Sequence, residues 1–382
     1  MILLKNGRIH TPEEVFIGDV LIDGKKIKAV GKNIKPKGNV EVHDIKGLNL
    51  FPGFIDAHSH LGIFQEAIGD VGSDGNEWVD PVTPNLRAID AIYPPDVGFN
   101  DALKAGITSV FTGPGSANVI GGQSVVVKTG GSIIVDERIV KNPAGMKMAL
   151  GENPKRVYGD QKRSPATRMA NAALIRDTFY QARVYMEKKE KSKKFNEYNS
   201  KYEALIPVLK RQIPVRGHSH RSDDIATFIR LRDEIGFKLV IEHGTEAHLI
   251  ADYLKKKKVP VVVGPSFSAR VKVELKEITF DTPRILWEKG ILFAIMTDAP
   301  VVPINYLPLM VGLSVKHGLK HHEGVKAITI NAAKICGVDK RIGRVKPGYD
   351  ADITIYEGDP FTVEGTCVAT IIDGKVMWGG IK

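Results

Sequence analysis

The feature that most constrains the fold is a repeated alternation, from about residue 48 onward, of short apolar segments with polar loops and helical stretches. Short apolar runs bounded by turn residues are typical of buried strands, and their alternation with helices predicts β/α units around a parallel sheet. Eight such runs suit a (β/α)8 TIM barrel in an α/β protein. They are residues 48–55, 107–111, 124–127, 146–150, 213–216, 238–241, 259–263 and 292–296.

Both ends of the chain have a different pattern, of short strands separated by turns. The first segment offers residues 1–4, 15–22, 26–30 and 40–44, and the last offers 351–356, 367–372 and 375–378. So few strands cannot bury both faces alone, and we expect the two ends to combine. The prediction is a small composite β-sandwich domain from residues 1–48 and 338–382, beside a barrel of residues 49–337 with a helical insertion around 153–211.

The amino-acid composition of the chain argues against some classes of binding partner. With 54 Lys+Arg against 44 Asp+Glu the net charge is +10, but the lysines gather in runs at 188–194 and 255–258, where helices should be exposed. Basic and aromatic residues are not interleaved, so we expect no nucleic-acid binding. No apolar run is long enough for a membrane span or a signal peptide, and only Cys336 and Cys367 are present. We expect a cytoplasmic protein, a small-molecule substrate and a homo-oligomer.

Polar residues at the ends of these strands indicate a metal site. His58 and His60 are spaced i, i+2, which puts both rings on one face of a strand. Because the carboxyl ends of barrel strands meet at one rim, we expect the pair to converge with four later strand-end residues on one or two divalent ions. Those four are Glu152, His218, His243 and Asp298. Zinc is the first choice, with manganese, iron and cobalt as alternatives.

Two further segments of the sequence belong to the same pattern. They are Thr-Ile-Asn-Ala-Ala-Lys at 329–334 and Gly-Arg-Val-Lys-Pro-Gly-Tyr-Asp-Ala-Asp at 343–352. Together they resemble the amidohydrolase superfamily, nearest its imidazolonepropionase-related branch. The resemblance implies that His58 and His60 are the ligands of the first strand, and that the fifth, sixth and eighth strands supply His218, His243 and Asp298.

Two positions leave alternatives open. Many binuclear members carry a lysine on the fourth strand whose carbamate bridges two metals. Here Glu152 stands at the comparable place, while Lys128 and Lys147 are rival candidates for the bridge. The sequence Gly-His-Ser-His at 217–220 also repeats the i, i+2 spacing, so either histidine could be the ligand. We favour His218 as ligand, with His220 facing the substrate.

The resemblance implies a hydrolase that cleaves a C–N bond with metal-activated water. Asp298 would carry the proton from water to the leaving nitrogen, and His220 would assist the oxyanion. The first candidate substrate is a cyclic amide. The alternatives are a dipeptide or N-acyl amino acid and, more remotely, a non-catalytic binding or assembly role on the same fold.

Candidate substrate-binding residues follow the ligand positions along the chain. A substrate with an anionic group would suit an arginine clamp, and Gln123 is a further candidate polar group of the pocket. The residues predicted for these roles are Arg156, Tyr158, Arg163, Arg221 and Gln123.

Overall fold

The computed structural model describes residues 1–192 and 194–381, so Lys193, within the predicted lysine run 188–194, and Lys382 lie outside the described residues. The strands are β1 (Ile2–His10), β2 (Val15–Asp23), β3 (Lys26–Gly31), β4 (Glu41–Asp44), β5 (Asn49–Pro52), β6 (Phe54–Ser59), β7 (Ile107–Thr112), β8 (Ile120–Lys128), β9 (Ile139–Ala149), β10 (Val215–Ser219), β11 (Leu239–His243), β12 (Val261–Val263), β13 (Phe293–Ile295), β14 (Ile353–Glu357), β15 (Thr366–Ile372) and β16 (Lys375–Gly379). The α-helices are α1 (Val97–Lys104), α2 (Glu152–Asp160), α3 (Arg168–Lys191), α4 (Ser200–Leu209), α5 (Ser222–Ile235), α6 (Ala251–Lys257), α7 (Thr282–Glu288), α8 (Leu307–Lys316), α9 (His321–Ala327) and α10 (Ile330–Cys336).

The two chain ends build one β-sheet, which confirms that they combine. Its order is β16-β15-β14-β5-β1-β2-β3, and β4 also pairs with β1. The strands of the predicted composite β domain hydrogen bond in one continuous sheet. Its buried core includes Leu4, Ile22, Leu50, Ile353 and Ile371. The exact domain boundaries at 48 and 338 stay a prediction.

The predicted strand at residues 48–55 is two strands in the structure. Residues 49–52 pair in the terminal sheet, and the chain then enters the barrel as β6. Gly53 stands between them, and a Cβ there would clash with the side chain of Thr108. Glycine therefore allows the close packing where the chain passes from one sheet to the other.

The second sheet is the predicted barrel, with strand order β13-β12-β11-β10-β9-β8-β7-β6. The two ends of this sheet are joined at the rim, where Asp298 N donates to His58 O at 3.3 Å and His60 N to Ala299 O at 2.8 Å. Every residue of β6, β7, β10 and β11 is buried. The carboxyl ends of these strands therefore form a rigid rim.

The predicted barrel is confirmed, with one strand that departs from the usual parallel arrangement. Strand β8 runs antiparallel to both β7 and β9. Only residues 113–119 connect β7 to β8, and a parallel pair needs a crossover of about a dozen residues or more. The reversal follows from this short connection. No helix in the described part of the chain is both long and apolar enough to cross a membrane.

Candidate metal centre

The barrel rim brings together five histidines and one aspartate, all buried. Possible ligand atoms fall into two groups, each within 4.8 Å: His218, His220 and His243, and then His58, His243 and Asp298. His60 joins the second group, because its Nε2 lies 3.2 Å from Asp298 Oδ1, and His58 Nε2 lies 3.1 Å from the same oxygen. His243 belongs to both groups, so the cluster is continuous.

Hydrogen bonds on the outer nitrogens fix the orientation of the rings. The Nδ1 atom of His60 lies 2.7 Å from Gly113 O, and that of His243 lies 3.0 Å from Gly264 O. Because a carbonyl only accepts, both Nδ1 atoms carry the proton and both Nε2 atoms keep a free lone pair. This is the orientation in which metal-binding histidines are usually held.

The surroundings of His218 indicate whether the cluster fits a metal. Both of its ring nitrogens are buried and have no hydrogen-bond partner among the described residues. Leaving a buried polar atom unsatisfied costs about 1–3 kcal/mol. A cation bound by one nitrogen would compensate for much of this cost, and the surrounding imidazole and carboxylate donors suit zinc, manganese or iron. The cluster therefore fits a divalent metal.

Burial also sets the protonation of the cluster. It lowers the pKa of His218 and His243 well below the ordinary 6.5 and that of His220 to about 3. These rings are neutral at neutral pH, as metal ligands must be. Burial alone would raise the pKa of Asp298, but the imidazoles of His243, His58 and His60 lower it well below 3.8. Asp298 is therefore ionised.

The backbone is strained at two of these residues. His243 has φ of 69° and Asp298 has φ of 59°, in the left-handed region that side chains other than glycine seldom adopt. Such conformations cost about 1–3 kcal/mol each and occur at functional sites, where the surrounding structure enforces them.

The structure separates the three candidates for a metal bridge. Lys147, on β9, is fully buried and its Nζ lies 3.3 Å from His58 Nε2. Lys128 instead forms ion pairs with Asp350, Asp352 and Asp373. Glu152 begins α2 and belongs to neither ligand group. The structure thus brings Lys147 to the cluster, and the prediction that Glu152 is a ligand is not supported by its position.

Two charged residues beneath the cluster were missed in the sequence. Arg216 Nε donates to Glu242 Oε1, and Glu242 Oε2 lies 2.9 Å from His58 Nδ1. Arg216 also donates to Ala57 O at 2.6 Å and stacks over the Phe111 ring at 3.8 Å. Burial favours the neutral acid, yet Arg216 and His58 lower the pKa of Glu242 to about 2. The carboxylate is ionised and holds His58 from behind.

A cavity of about 440 Å³ opens directly above the cluster. Its floor is formed by ligand candidates, including His218, His220 and Asp298, and one wall is apolar. The polar residues that line the remainder were not predicted from the sequence. They are Asn76, Ser116, Asn153, Ser268 and Lys272.

The five predicted substrate-binding residues lie outside the lining of this cavity. Tyr158 donates to Glu77 O and Asp80 O, and Arg221 pairs with Asp223. Gln123 pairs through its backbone with Leu86. Arg156 and Arg163 are exposed. Proximity to the ligands in sequence therefore does not by itself place a residue at the cavity, although Asn153 on the same helix as Arg156 does line it.

Comparison with known proteins gives the family. A profile of the Amidohydrolase family matches residues 208–378. An amidohydrolase from Thermotoga maritima MSB8, known from a crystal structure, is 46% identical over 100% of both chains, with a TM-score of 0.97. A prolidase complexed with N-methylphosphonate-L-proline shares the fold at 18% identity, with a TM-score of 0.64 over 98% of both chains.

Two curated relatives are more distant in sequence. Amidohydrolase tasK from Hapsidospora irregularis is 28% identical over 95% of this chain, which spans only 40% of the length of that protein. A dihydroorotase from Elusimicrobium minutum is 24% identical over 93% of this chain and 88% of its own. None of these relatives is named as an imidazolonepropionase, so that branch stays a prediction. The identity along the whole length of the Thermotoga protein and the shared fold show that the chain belongs to the amidohydrolase superfamily.

Proposed function

We propose that the protein is a metal-dependent hydrolase that cleaves the C–N bond of an amide or cyclic amide. One observation carries the proposal. His218 is buried at the floor of a cavity with both nitrogens unpartnered, among other neutral imidazoles and an ionised aspartate. Such an arrangement is costly in a protein without a cation and is accounted for by a metal site.

His58, His60, His218, His243 and Asp298 would hold the metal. When bound, a divalent ion lowers the pKa of water and polarises a carbonyl, which is the chemistry that amide hydrolysis requires. Glu242 Oε2 lies 2.9 Å from His58 Nδ1, and the Gly113 and Gly264 carbonyls accept from Nδ1 of His60 and of His243. The ring positions are therefore set before the substrate enters.

Asp298 is the proposed proton carrier. Its Oδ1 is shared by His58 and His60, while Oδ2 makes no hydrogen bond with any described residue. An ionised carboxylate with a free oxygen beside the cavity can take the proton of the attacking water and deliver it to the leaving nitrogen.

His220 is proposed to stabilise the oxyanion. Its Nδ1 lies 2.8 Å from Thr245 Oγ1. When the Thr245 hydroxyl donates to Nδ1, the proton of the neutral ring resides on Nε2, which can then donate to a negatively charged oxygen. In the other tautomer Nε2 would instead be a ligand, as its place beside His218 and His243 also permits.

Lys147 is the proposed bridge between two metals. Its amine is buried beside His58, and no carboxylate among the described residues lies within ion-pair distance of it. Burial lowers its pKa to about 8. An amine of this kind loses its proton more readily than an ordinary lysine, which favours the carbamate that the superfamily resemblance implies.

The experiment combines metal analysis with hydrolysis of a panel of cyclic ureas, lactams, imidazolones, dipeptides and N-acyl amino acids. The purified protein should contain one or two ions of a divalent metal per chain and turn over at least one substrate class. Turnover of linear substrates alone would favour the dipeptidase alternative. Protein that takes up no zinc, manganese, iron or cobalt would overturn the proposal and leave only a binding role.

Asp298→Asn tests the proton carrier. The variant should lose about 10²- to 10⁴-fold in kcat while keeping most of the metal, because the amide oxygen still coordinates but cannot carry a proton. Asp160→Asn is the control, since Asp160 is exposed on α2. Unchanged turnover in the Asp298 variant would contradict the assignment.

A further inference from the structure

The cavity above the cluster has one cation in its upper wall. Lys272, on the loop between β12 and α7, lines the same cavity as His218, His220 and Asp298. Its side chain is 22% exposed. A lysine so far withdrawn from water normally has a close acidic partner.

Lys272 has one acidic neighbour at the limit of ion-pair distance, and no carboxylate among the described residues hydrogen bonds to it. Its Nζ donates to the neutral Asn153 Oδ1 at 3.3 Å, and Glu274 Oε2 lies 3.9 Å away, too far for a hydrogen bond. Glu274 is shared with other groups, because its Oε1 accepts from Arg168 Nη2 at 2.9 Å and from Glu152 N at 2.7 Å, while its Oε2 makes no hydrogen bond with any described residue. An ammonium has three N–H donors, so most of its capacity is unused by described residues.

The more distant charges do not replace a partner. Burial is the largest influence and lowers the pKa of Lys272 overall, although Glu274, Glu152 and Asp298 favour the ammonium through space and Arg156 opposes it. An anion from solution that reached the ammonium would gain a charge-assisted hydrogen bond in a partly desolvated site. The same cavity offers apolar contact from Phe64, Pro265 and Leu275.

We propose that Lys272, oriented by Asn153, binds a carboxylate of the substrate, so that the enzyme acts on amides that carry both a carboxylate and an apolar group. The inference rests on the proposed function, since it names the substrate class of that site. It assigns to this lysine the anion-binding role that the sequence suggested for arginines at 156, 163 and 221.

The test compares acids with their neutral amides. Binding of N-acetyl-L-leucine and N-acetyl-L-leucinamide, and of L-pyroglutamate and its amide, is measured by titration calorimetry on the zinc-loaded protein, and kcat and KM are measured wherever turnover occurs. Lys272→Met removes the charge at similar volume. Lys276→Met is the matched control, because Lys276 lies on the same loop with its side chain 72% exposed.

The wild type should bind at least one acid more tightly than its amide. Lys272→Met should reduce that preference by about 10- to 100-fold, through Kd or KM with little change in kcat, while Lys276→Met leaves it intact. Lys272→Arg should restore part of it. A wild type without preference for either acid, or a Lys272→Met variant that keeps the preference, would overturn the inference. Lysine-dependent acid binding without turnover of any amide would refute the proposed function and leave standing only the part of this inference that assigns carboxylate binding to Lys272.

Discussion

Replacement of Glu242 by glutamine should destabilise the zinc-free protein by about 3 kcal/mol at neutral pH. Glu242 and Arg216 are both fully buried, so the change leaves the guanidinium without a counter-charge inside the barrel. Removing one partner of a buried pair typically costs about 3–5 kcal/mol.

The structure places the effect at the lower end of that range. Arg216 would keep its bond to Ala57 O at 2.6 Å and its contact with the Phe111 ring at 3.8 Å. The pKa of Glu242 leads to the same magnitude, because a carboxyl whose pKa falls from 4.5 to about 2 on folding stabilises the folded state by about 3 kcal/mol at neutral pH. That stabilisation is complete above pH 4.5 and is lost as the pH falls towards 2.

Guanidinium unfolding of the zinc-free proteins, followed by circular dichroism, provides the measurement. The difference between wild type and the variant should be largest at pH 7 and should begin to shrink below pH 4.5. The double variant Arg216→Met, Glu242→Leu serves as control. It should be more stable than the single variant, because no unpaired charge remains.

Zinc affinity and folding stability should not change in parallel between the single and the double variant. The double variant removes the acceptor 2.9 Å from His58 Nδ1, so its zinc affinity should fall about 10- to 100-fold although its stability recovers. A loss of less than about 1 kcal/mol in Glu242→Gln, or a double variant as unstable as the single one, would refute the reasoning.

The remaining predictions concern the metal itself. Lys147→Met should reduce bound zinc from two ions to one, whereas Glu152→Gln should leave it unchanged; metal analysis after gel filtration checks both. His218→Leu should abolish zinc binding at its site without lowering the melting temperature of the zinc-free protein, because two unpartnered buried nitrogens are removed. Burial lowers the pKa of the ligand histidines below 6.5, so protons should displace zinc only at lower pH; loss of zinc on dialysis at pH 6.5 would contradict this.

Most of the ligand cluster could be predicted from the sequence, because the carboxyl ends of barrel strands all lie at the same rim. His58, His218 and His243 lie at or next to the last residues of β6, β10 and β11, as expected. Asp298 follows β13 closely enough to reach the same point. In these cases position in sequence determines position at the rim.

Glu242 was missed because strand alternation argues against it. Neighbouring residues in a strand point to opposite faces, so placing His243 in the site would place Glu242 outside the barrel. The left-handed backbone at His243, with φ of 69°, breaks this alternation, and both side chains contact the interior. Periodicity in the sequence does not reveal such a local change of backbone.

Lys147 was placed second to Glu152 for a related reason. The predicted strand at 146–150 made Glu152 the residue just past its end, but β9 ends at Ala149 and helix α2 begins at Glu152 itself. A lysine within a strand reaches the rim through its long side chain rather than through its position. The role of Lys147 as a metal bridge stays a prediction, but its place inside a buried strand explains how it reaches the cluster.

Charge balance in the barrel interior connects these residues. Lys147 and Arg216 bring two positive charges, and Glu242 and Asp298 bring two negative ones, all buried within one network of contacts. Asp56, also fully buried, has its pKa raised by burial to about 6 and adds further negative charge at neutral pH. A divalent ion would still add positive charge that the low dielectric penalises beside Lys147 and Arg216. Of these two cations, Lys147 alone can relieve this by losing its proton, because its pKa is lowered to about 8 whereas Arg216 stays charged. A buried lysine at this position therefore lets the cluster adjust its charge when metal binds.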